Sequence, residues 1–200
     1  MTRWYTEKKK EHFYNEAKRV GYRARSAFKL LQIQKRFNIL RKDDIVIDLG
    51  AAPGGWSQVA KEIVGINGHV IGMDLSPVKP ISGITFLQGD ITSDASINEL
   101  IDIIGGKKVD VVLSDMSQDI SGNYSIDQAR SVFLCEQALS TTELVLKPGG
   151  NFVCKVFEGE DLNNFLKKIQ KKYKTIKQFS PEASRKSSSE IYIIAKFFQK

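Results

Sequence analysis

From residue 45 onward, short apolar runs alternate with stretches whose apolar positions recur every three to four residues. The runs "IVIDLG" (45–50), "HVIGMDL" (69–75), "ITFLQGD" (84–90), "VDVVLSD" (109–115) and "GNFVCKVF" (150–157) read as strands. Between them the helical period predicts helices from about Gly55, over 94–104, over 127–146 and over 161–172, and residues 26–38 form one more before the first strand. Near-continuous apolar strands separated by helices imply a parallel sheet covered on both faces. The chain ends on "YKTIKQFS" and "EIYIIAKFF", separated by the polar turn "SRKSSSE". These read as an antiparallel pair, which makes the sheet mixed and seven-stranded.

One position breaks the pattern. Lys155 lies among Val153, Cys154, Val156 and Phe157, inside a run that otherwise belongs to the core. Removing an ammonium from water is costly unless something offsets the loss. Either Lys155 snorkels out at the strand end, the ordinary outcome for a lone lysine, or the fold holds it there for chemistry.

Composition narrows the class. The 200 residues, 42% hydrophobic and 26% charged, suit one soluble globular domain over 1–200. No run of 18 apolar residues is present and the amino terminus lacks an apolar signal core, so the expectation is a cytoplasmic protein with no membrane partner. Cys135 and Cys154 sit in apolar contexts and read as reduced thiols. Neither belongs to a CxxC, and His12 and His69 are isolated, so no metal site is expected.

The net charge of +7 is unevenly spread. Residues 1–42 hold 13 Lys/Arg against 3 acids, residues 43–166 hold 7 against 18, and residues 167–200 hold 10 against 2. Two basic ends around an acidic middle favour a polyanion, and nucleic acid is the usual one. The basic amino-terminal segment interleaves Trp4, Tyr5, Phe13, Tyr14, Tyr22 and Phe28 with cations, which suits stacking on exposed RNA bases, with packing onto the sheet as the alternative, for Phe28 more than for Trp4. Arg3, Lys8, Lys9, Lys10, Arg23 and Arg25 are the candidate phosphate contacts. For "KKIQKKYK" a solvated lysine face is an equal alternative.

The loop "DLGAAPGGWS" (48–57) follows the first strand, where a doubly wound sheet places its ligand. Gly50, Gly54 and Gly55 let backbone approach a ligand, but Ala52 replaces the second glycine of a dinucleotide fingerprint. Asp74, Asp90 and Asp115 each close a strand, so the parallel sheet gathers their carboxylates along the same edge. Singly, each acid is more often a cap or turn residue. Together they disfavour a phosphate and suit a ribose joined to a positive charge, as in the sulfonium S-adenosyl-L-methionine (SAM).

At these residues the chain resembles the FtsJ/RrmJ (RlmE) family of ribosomal RNA 2′-O-methyltransferases. "DLGAAPGGWSQ", "FLQGDI", "VVLSDMS", "LKPGGNFVCKVFEGE" and "SRKSSSEIYIIA" follow the family's motifs in order, from about Arg23 to about Lys196. The resemblance implies a Rossmann-like class I SAM-dependent methyltransferase fold with the last strand antiparallel. It implies a Lys-Asp-Lys-Glu tetrad at Lys29, Asp115, Lys155 and Glu190, and SAM contacts at Gly54, Trp56, Asp74, Asp90 and Asp115. It also implies action on a uridine of large-subunit (23S) ribosomal RNA, in the A loop of the peptidyl-transferase centre; nothing in the sequence demands a partner subunit, so a monomer is the expectation. One stretch departs: after "SDM" the family has Pro-Asn where this chain has Gln118 and Asp119, which alters the loop but none of the four tetrad positions.

Such a tetrad meets a clear chemical need. A ribose hydroxyl must be held in line with the methyl group and lose its proton as the bond forms. Lysine can take that proton only when neutral, and an ordinary lysine is neutral about once in a thousand near pH 7.4. Other readings stand beside this one: transfer RNA as the substrate, a small-molecule methyltransferase with no use for the basic ends, and a non-enzymatic ribosome-assembly protein that keeps a SAM pocket. A nicotinamide dehydrogenase is more distant.

Overall fold

In the computed structural model of the protein, the backbone is described for residues 3–118, 121–184 and 189–199, with side chains from residue 12 onward among them. In chain order the elements are α1 (Arg3–Val20), α2 (Ala27–Phe37), β1 (Ile45–Leu49), α3 (Gly55–Val64), β2 (His69–Asp74), β3 (Ile84–Gln88), α4 (Asp94–Ile103), β4 (Val109–Ser114), α5 (Tyr124–Val145), β5 (Leu146–Phe157), α6 (Leu162–Gln170), β6 (Tyr173–Phe179) and β7 (Glu190–Phe198).

The strands form one seven-stranded sheet in the order β3-β2-β1-β4-β5-β7-β6. The β1–β2, β1–β4, β2–β3 and β4–β5 pairings are parallel, whereas β7 runs antiparallel to both β5 and β6. The expected mixed, Rossmann-like sheet is therefore present. The final antiparallel pair is added beside β5 with its order reversed, so β7 lies inside the sheet and β6 takes the edge. β5 starts four residues before its expected boundary, with a register irregularity opposite Val109 and Val111. The helix α1 was not expected from sequence, and 18 of its residues are helical in a segment rich in lysine and arginine.

Two apolar layers sandwich the sheet. Ile47, Phe152, Cys154 and Val156 pack under α4, α5 and α6, through residues such as Leu100, Leu139 and Phe165. Val46, Val111, Val153 and Ile194 pack under α2 and α3, through Leu30, Ile33, Val59 and Val64. Side chains alternate across a strand, so Lys155 shares its face with Val153 and looks toward α2. Burying a leucine such as Leu30, which is 0% exposed, stabilises the fold by about 1.5–3 kcal/mol. The helix α2 ends on Asn38 in the left-handed conformation (φ 48°), whose N–H bonds back to Gln34. Among the described residues no helix is long and apolar enough to cross a membrane.

Candidate active site

The carboxyl ends of β1 to β5 converge on one edge, and the side chains that break the apolar pattern collect there. Lys155 lies on β5 and its amine donates to the backbone carbonyl of Asp115 at 2.9 Å. It also stands 3.3 Å from Asp115 Oδ1. Lys29, in the first turn of α2, forms an ion pair with Glu190 at 2.5 Å. Both lysines are buried. The four tetrad positions therefore come together as two cation–carboxylate pairs.

Tyr192 joins the pairs. It lies opposite Lys155 in the β5–β7 register, its hydroxyl donates to Asp115 Oδ1 at 2.7 Å and it accepts from Lys29 Nζ at 3.1 Å. Burial, then the charges of Asp115 and Glu190, push the Tyr192 hydroxyl well above its ordinary range. The Glu190 carboxyl is held below its usual range: burial acts upward, but Lys29 and Lys155 outweigh it. Cys135 Sγ donates to the Lys155 carbonyl at 2.8 Å and steadies that part of β5 from the opposite face.

Asp115 also borders a cavity of about 630 Å³, within the range that small-ligand sites occupy. Gly50, Ala52, Asp74, Asp90 and Met116 line it as well. Gly50 has φ +76°, and a Cβ there would stand 2.8 Å from Met116 Cα, so loop and β4 end meet backbone to backbone. Asp74 accepts from the N–H groups of Ala52 at 2.9 Å and Ser76 at 2.8 Å, which fixes its carboxylate and leaves lone pairs unused. Asp90 accepts from the N–H and hydroxyl of Thr92, both at 2.8 Å, and these bonds hold it below the usual carboxylate range. Asp90 is thus a turn-stabilising residue and a cavity-lining anion together. Arg130 and apolar residues such as Ile91 and Phe133 complete the lining, and with three carboxylates against one cation the cavity fits a ligand carrying a ribose and a positive charge, as SAM does.

Two expected cofactor contacts sit elsewhere. Gly54 caps α3 with φ +112° and abuts Ile81 and Arg23 rather than the cavity. Trp56 is buried, donates from its indole to the Ser26 carbonyl at 2.8 Å and stacks on Tyr192 at 5.6 Å. It packs behind the tetrad, because α3 turns its first residues toward α2.

The expected RNA contacts divide. The side chains of Arg3, Lys8, Lys9 and Lys10 lie outside the described residues. Arg23 is engaged by the fold: its guanidinium donates to the carbonyls of Lys79 (2.5 Å), Pro80 (2.7 Å) and Pro53 (3.3 Å). Arg25 is half-buried and its charge reaches Tyr192. On α1 the Lys18 amine rests over the exposed Tyr14 ring at 4.4 Å, and Phe13 packs on Phe28. In the loop after Asp115, Gln118 donates to the Asp127 carbonyl at 2.6 Å. The Asp127 carboxylate accepts from Ser121 N at 2.8 Å and Gly122 N at 3.2 Å. Asp119 lies outside the described residues.

Sequence reading missed two positions. Tyr192 in "EIYIIA" looks like any core aromatic, and no pattern flags its hydroxyl. Asp48 in "IVIDLG" carried the same signal as Lys155, a charge inside an apolar run. It is 0% exposed, Ser57 Oγ donates to its Oδ2 at 2.6 Å, and its Oδ1 has no partner. Burial, opposed by Ser57 and aided by the charges of Asp115 and Asp74, pushes its carboxyl up to about 7.

Residues 22–198 match the family model described as FtsJ-like methyltransferase. The Ribosomal RNA large subunit methyltransferase E of Methanosarcina acetivorans is 47% identical over 190 residues, spanning 95% of this chain and 69% of that one. A solved structure described as a ribosomal RNA methyltransferase from Plasmodium falciparum is 30% identical, with a TM-score of 0.80 over 88% of this chain and 98% of that one. Fibrillarin of Aeropyrum pernix, solved with S-adenosyl-L-methionine bound, is 18% identical with a TM-score of 0.61, covers 87% of this chain and 75% of its own, and shares the fold.

Proposed function

We infer that this chain, which belongs to the FtsJ-like methyltransferase family, methylates the ribose 2′-hydroxyl of a nucleotide in large-subunit ribosomal RNA, with SAM as donor. The observation that carries the reading is Asp115, which borders the cavity with one side and holds Lys155 and Tyr192 with the other. Donor and acceptor sites thereby share one residue. The nucleotide we assign is a uridine of the A loop, as the family resemblance implies.

SAM supplies an electrophilic methyl on a sulfonium, and Gly50, Ala52, Asp74, Asp90 and Asp115 would hold it. The remaining work belongs to the chain. A neutral lysine has two N–H donors and one lone pair. At Lys155 one donor is met by the Asp115 carbonyl at 2.9 Å and the carboxylate stands 3.3 Å away as an ion-pair contact, which holds the amine in place with its lone pair for the 2′-hydroxyl proton. Proton removal by a positioned base contributes about 10²–10⁴-fold in rate. Tyr192 holds Asp115 directly, and the Lys29–Glu190 pair holds Tyr192 through its hydroxyl. The basic α1, with Lys18 over Tyr14, offers cation and ring together to an unpaired RNA segment. The whole of 1–200 acts as one methyltransferase domain in this reading.

The test incubates the protein with radiolabelled SAM and, separately, undermethylated large subunits, free ribosomal RNA and transfer RNA, then maps 2′-O-methyl positions. Label in one A-loop uridine, abolished by Lys155→Ala, is the expected result. Label in a transfer RNA anticodon loop would reassign the substrate. No 2′-O-methyl product on any of the three would leave a binding protein with a SAM pocket.

A further inference from the structure

The tetrad forms two pairs, and a fifth side chain connects them. Tyr192 is 0% exposed and touches Asp115 and Lys29 through its hydroxyl while its ring stacks on Trp56. Trp56 in turn bonds to Ser26, immediately before the helix that carries Lys29. A phenylalanine would fill the same space, so packing does not explain a buried hydroxyl that costs free energy unless it is bonded.

The hydroxyl has one proton and accepts elsewhere. Lys29 is all donor, so the Tyr192 oxygen must accept from it and send its own proton to Asp115 Oδ1. That same oxygen is the one Lys155 approaches. Tyr192 stands closer, at 2.7 Å against 3.3 Å.

We propose that Tyr192 is a positioning residue that competes with Lys155 for the Asp115 carboxylate and so keeps the lysine from being held as a tight ion pair. The proposal rests on the reading of Lys155 as the proton acceptor. A carboxylate that faced only Lys155 would stabilise its ammonium and hold the proton on it. A neutral donor on Oδ1 spreads that charge. The charged groups around this point are Lys29 and Arg25 from the α2 side, Asp115 after β4, Lys155 on β5 and Glu190 on β7, with Asp48 on β1 sensed through Asp115. Among them Tyr192 works as a fixed dipole, since its phenol stays protonated throughout the working range.

The experiment compares single-turnover methyl transfer to large-subunit ribosomal RNA by wild type and Tyr192→Phe across about pH 6 to 9. SAM affinity by calorimetry and the melting curve are measured alongside. Wild-type rate should rise with pH along a limb that Lys155→Ala removes. In Tyr192→Phe that limb should move up by about one pH unit, so the rate near pH 7 falls about tenfold and recovers as pH rises. SAM affinity should change less than about threefold, well under the tenfold that 1.4 kcal/mol represents. A limb that stays in place, or a loss equal at every pH, overturns the role of Tyr192. If the phenylalanine variant does not fold, Tyr192→Met deletes the same hydroxyl and is read in the same way. A wild-type limb that survives Lys155→Ala overturns instead the reading of Lys155 on which the proposal stands.

Discussion

Lys29 and Glu190, 161 positions apart in the chain, close an ion pair of 2.5 Å. Their side chains are 8% and 12% exposed, so water screens the pair weakly. Removing one partner of such a pair strands a buried charge and costs about 3–5 kcal/mol, whereas replacing both with apolar groups is often neutral. Glu190→Ala should therefore lower the melting temperature by about 6–20 °C, at 2–4 °C per kcal/mol for a chain of this size. Lys29→Met combined with Glu190→Leu should restore most of that loss without restoring methyl transfer. A double variant as unstable as the single one would show that the pair is not the source of the effect.

Lys155→Arg separates charge from proton chemistry. Arginine keeps the positive charge near Asp115 but does not deprotonate in proteins. Methyl transfer should fall by about 10²–10⁴-fold in single-turnover assays while SAM binding persists. Activity equal to wild type in this variant would exclude proton abstraction by the residue.

Gly50→Ala tests the cavity wall. The added Cβ would meet Met116 Cγ at 2.6 Å and Met116 Cα at 2.8 Å, and φ of +76° costs a side-chain-bearing residue about 1–2 kcal/mol. Backbone on both sides leaves little room to yield. SAM affinity measured by calorimetry should drop by about tenfold or more, a loss of about 1.4 kcal/mol. Gly149→Ala, also at positive φ but with open space around it, should destabilise the fold while leaving SAM affinity alone.

Stability should depend on pH in two windows. The Asp48 carboxyl is raised from 3.8 to about 7, so folding favours its protonated form. Its effect is harmless below the unfolded value and becomes a penalty as pH rises from about 4 to 7, on the order of 4 kcal/mol at full size. Glu190 acts in the opposite sense: its folded value is depressed, so its contribution is present above the unfolded value and is lost as pH falls below about 4.5. Melting temperature should decline from pH 5 to pH 8 in wild type and stay flatter in Asp48→Asn. Parallel wild-type and variant curves would rule out Asp48 as the group responsible.

Arg23→Ala distinguishes a clamp from a phosphate contact. Its guanidinium ties the carbonyls of Lys79 and Pro80 to that of Pro53, so the variant should lose about 1–2 kcal/mol of stability. The salt dependence of RNA binding should keep its slope. A slope smaller by about 0.7–0.9 would instead show that Arg23 neutralises a phosphate.

The period of apolar residues was enough to place seven strands, the parallel sheet and its two helical layers, because burial on one or both faces is written directly into hydrophobic spacing. It also singled out Lys155 as a charge inside an apolar run, although a lysine snorkelling from a strand end would have given the same pattern. Parallel topology then gathered Asp74, Asp90 and Asp115 at one edge without any coordinates, and the motif resemblance joined Lys29 and Glu190 to them. The neighbours of each group were a different matter. Arg23 in sequence is one more cation of a basic terminus, and only the approach of two distant loops turns it into a clamp. Trp56 sits inside the glycine-loop motif yet packs behind the tetrad. Tyr192 becomes more than a core ring because β7 enters between β5 and β6, which sets it opposite Lys155 and brings its hydroxyl to Asp115 and Lys29. Strand order and register depend on long-range packing of whole layers. Local periodicity carries no record of that packing, so the partners of Lys155 were settled by the tertiary fold.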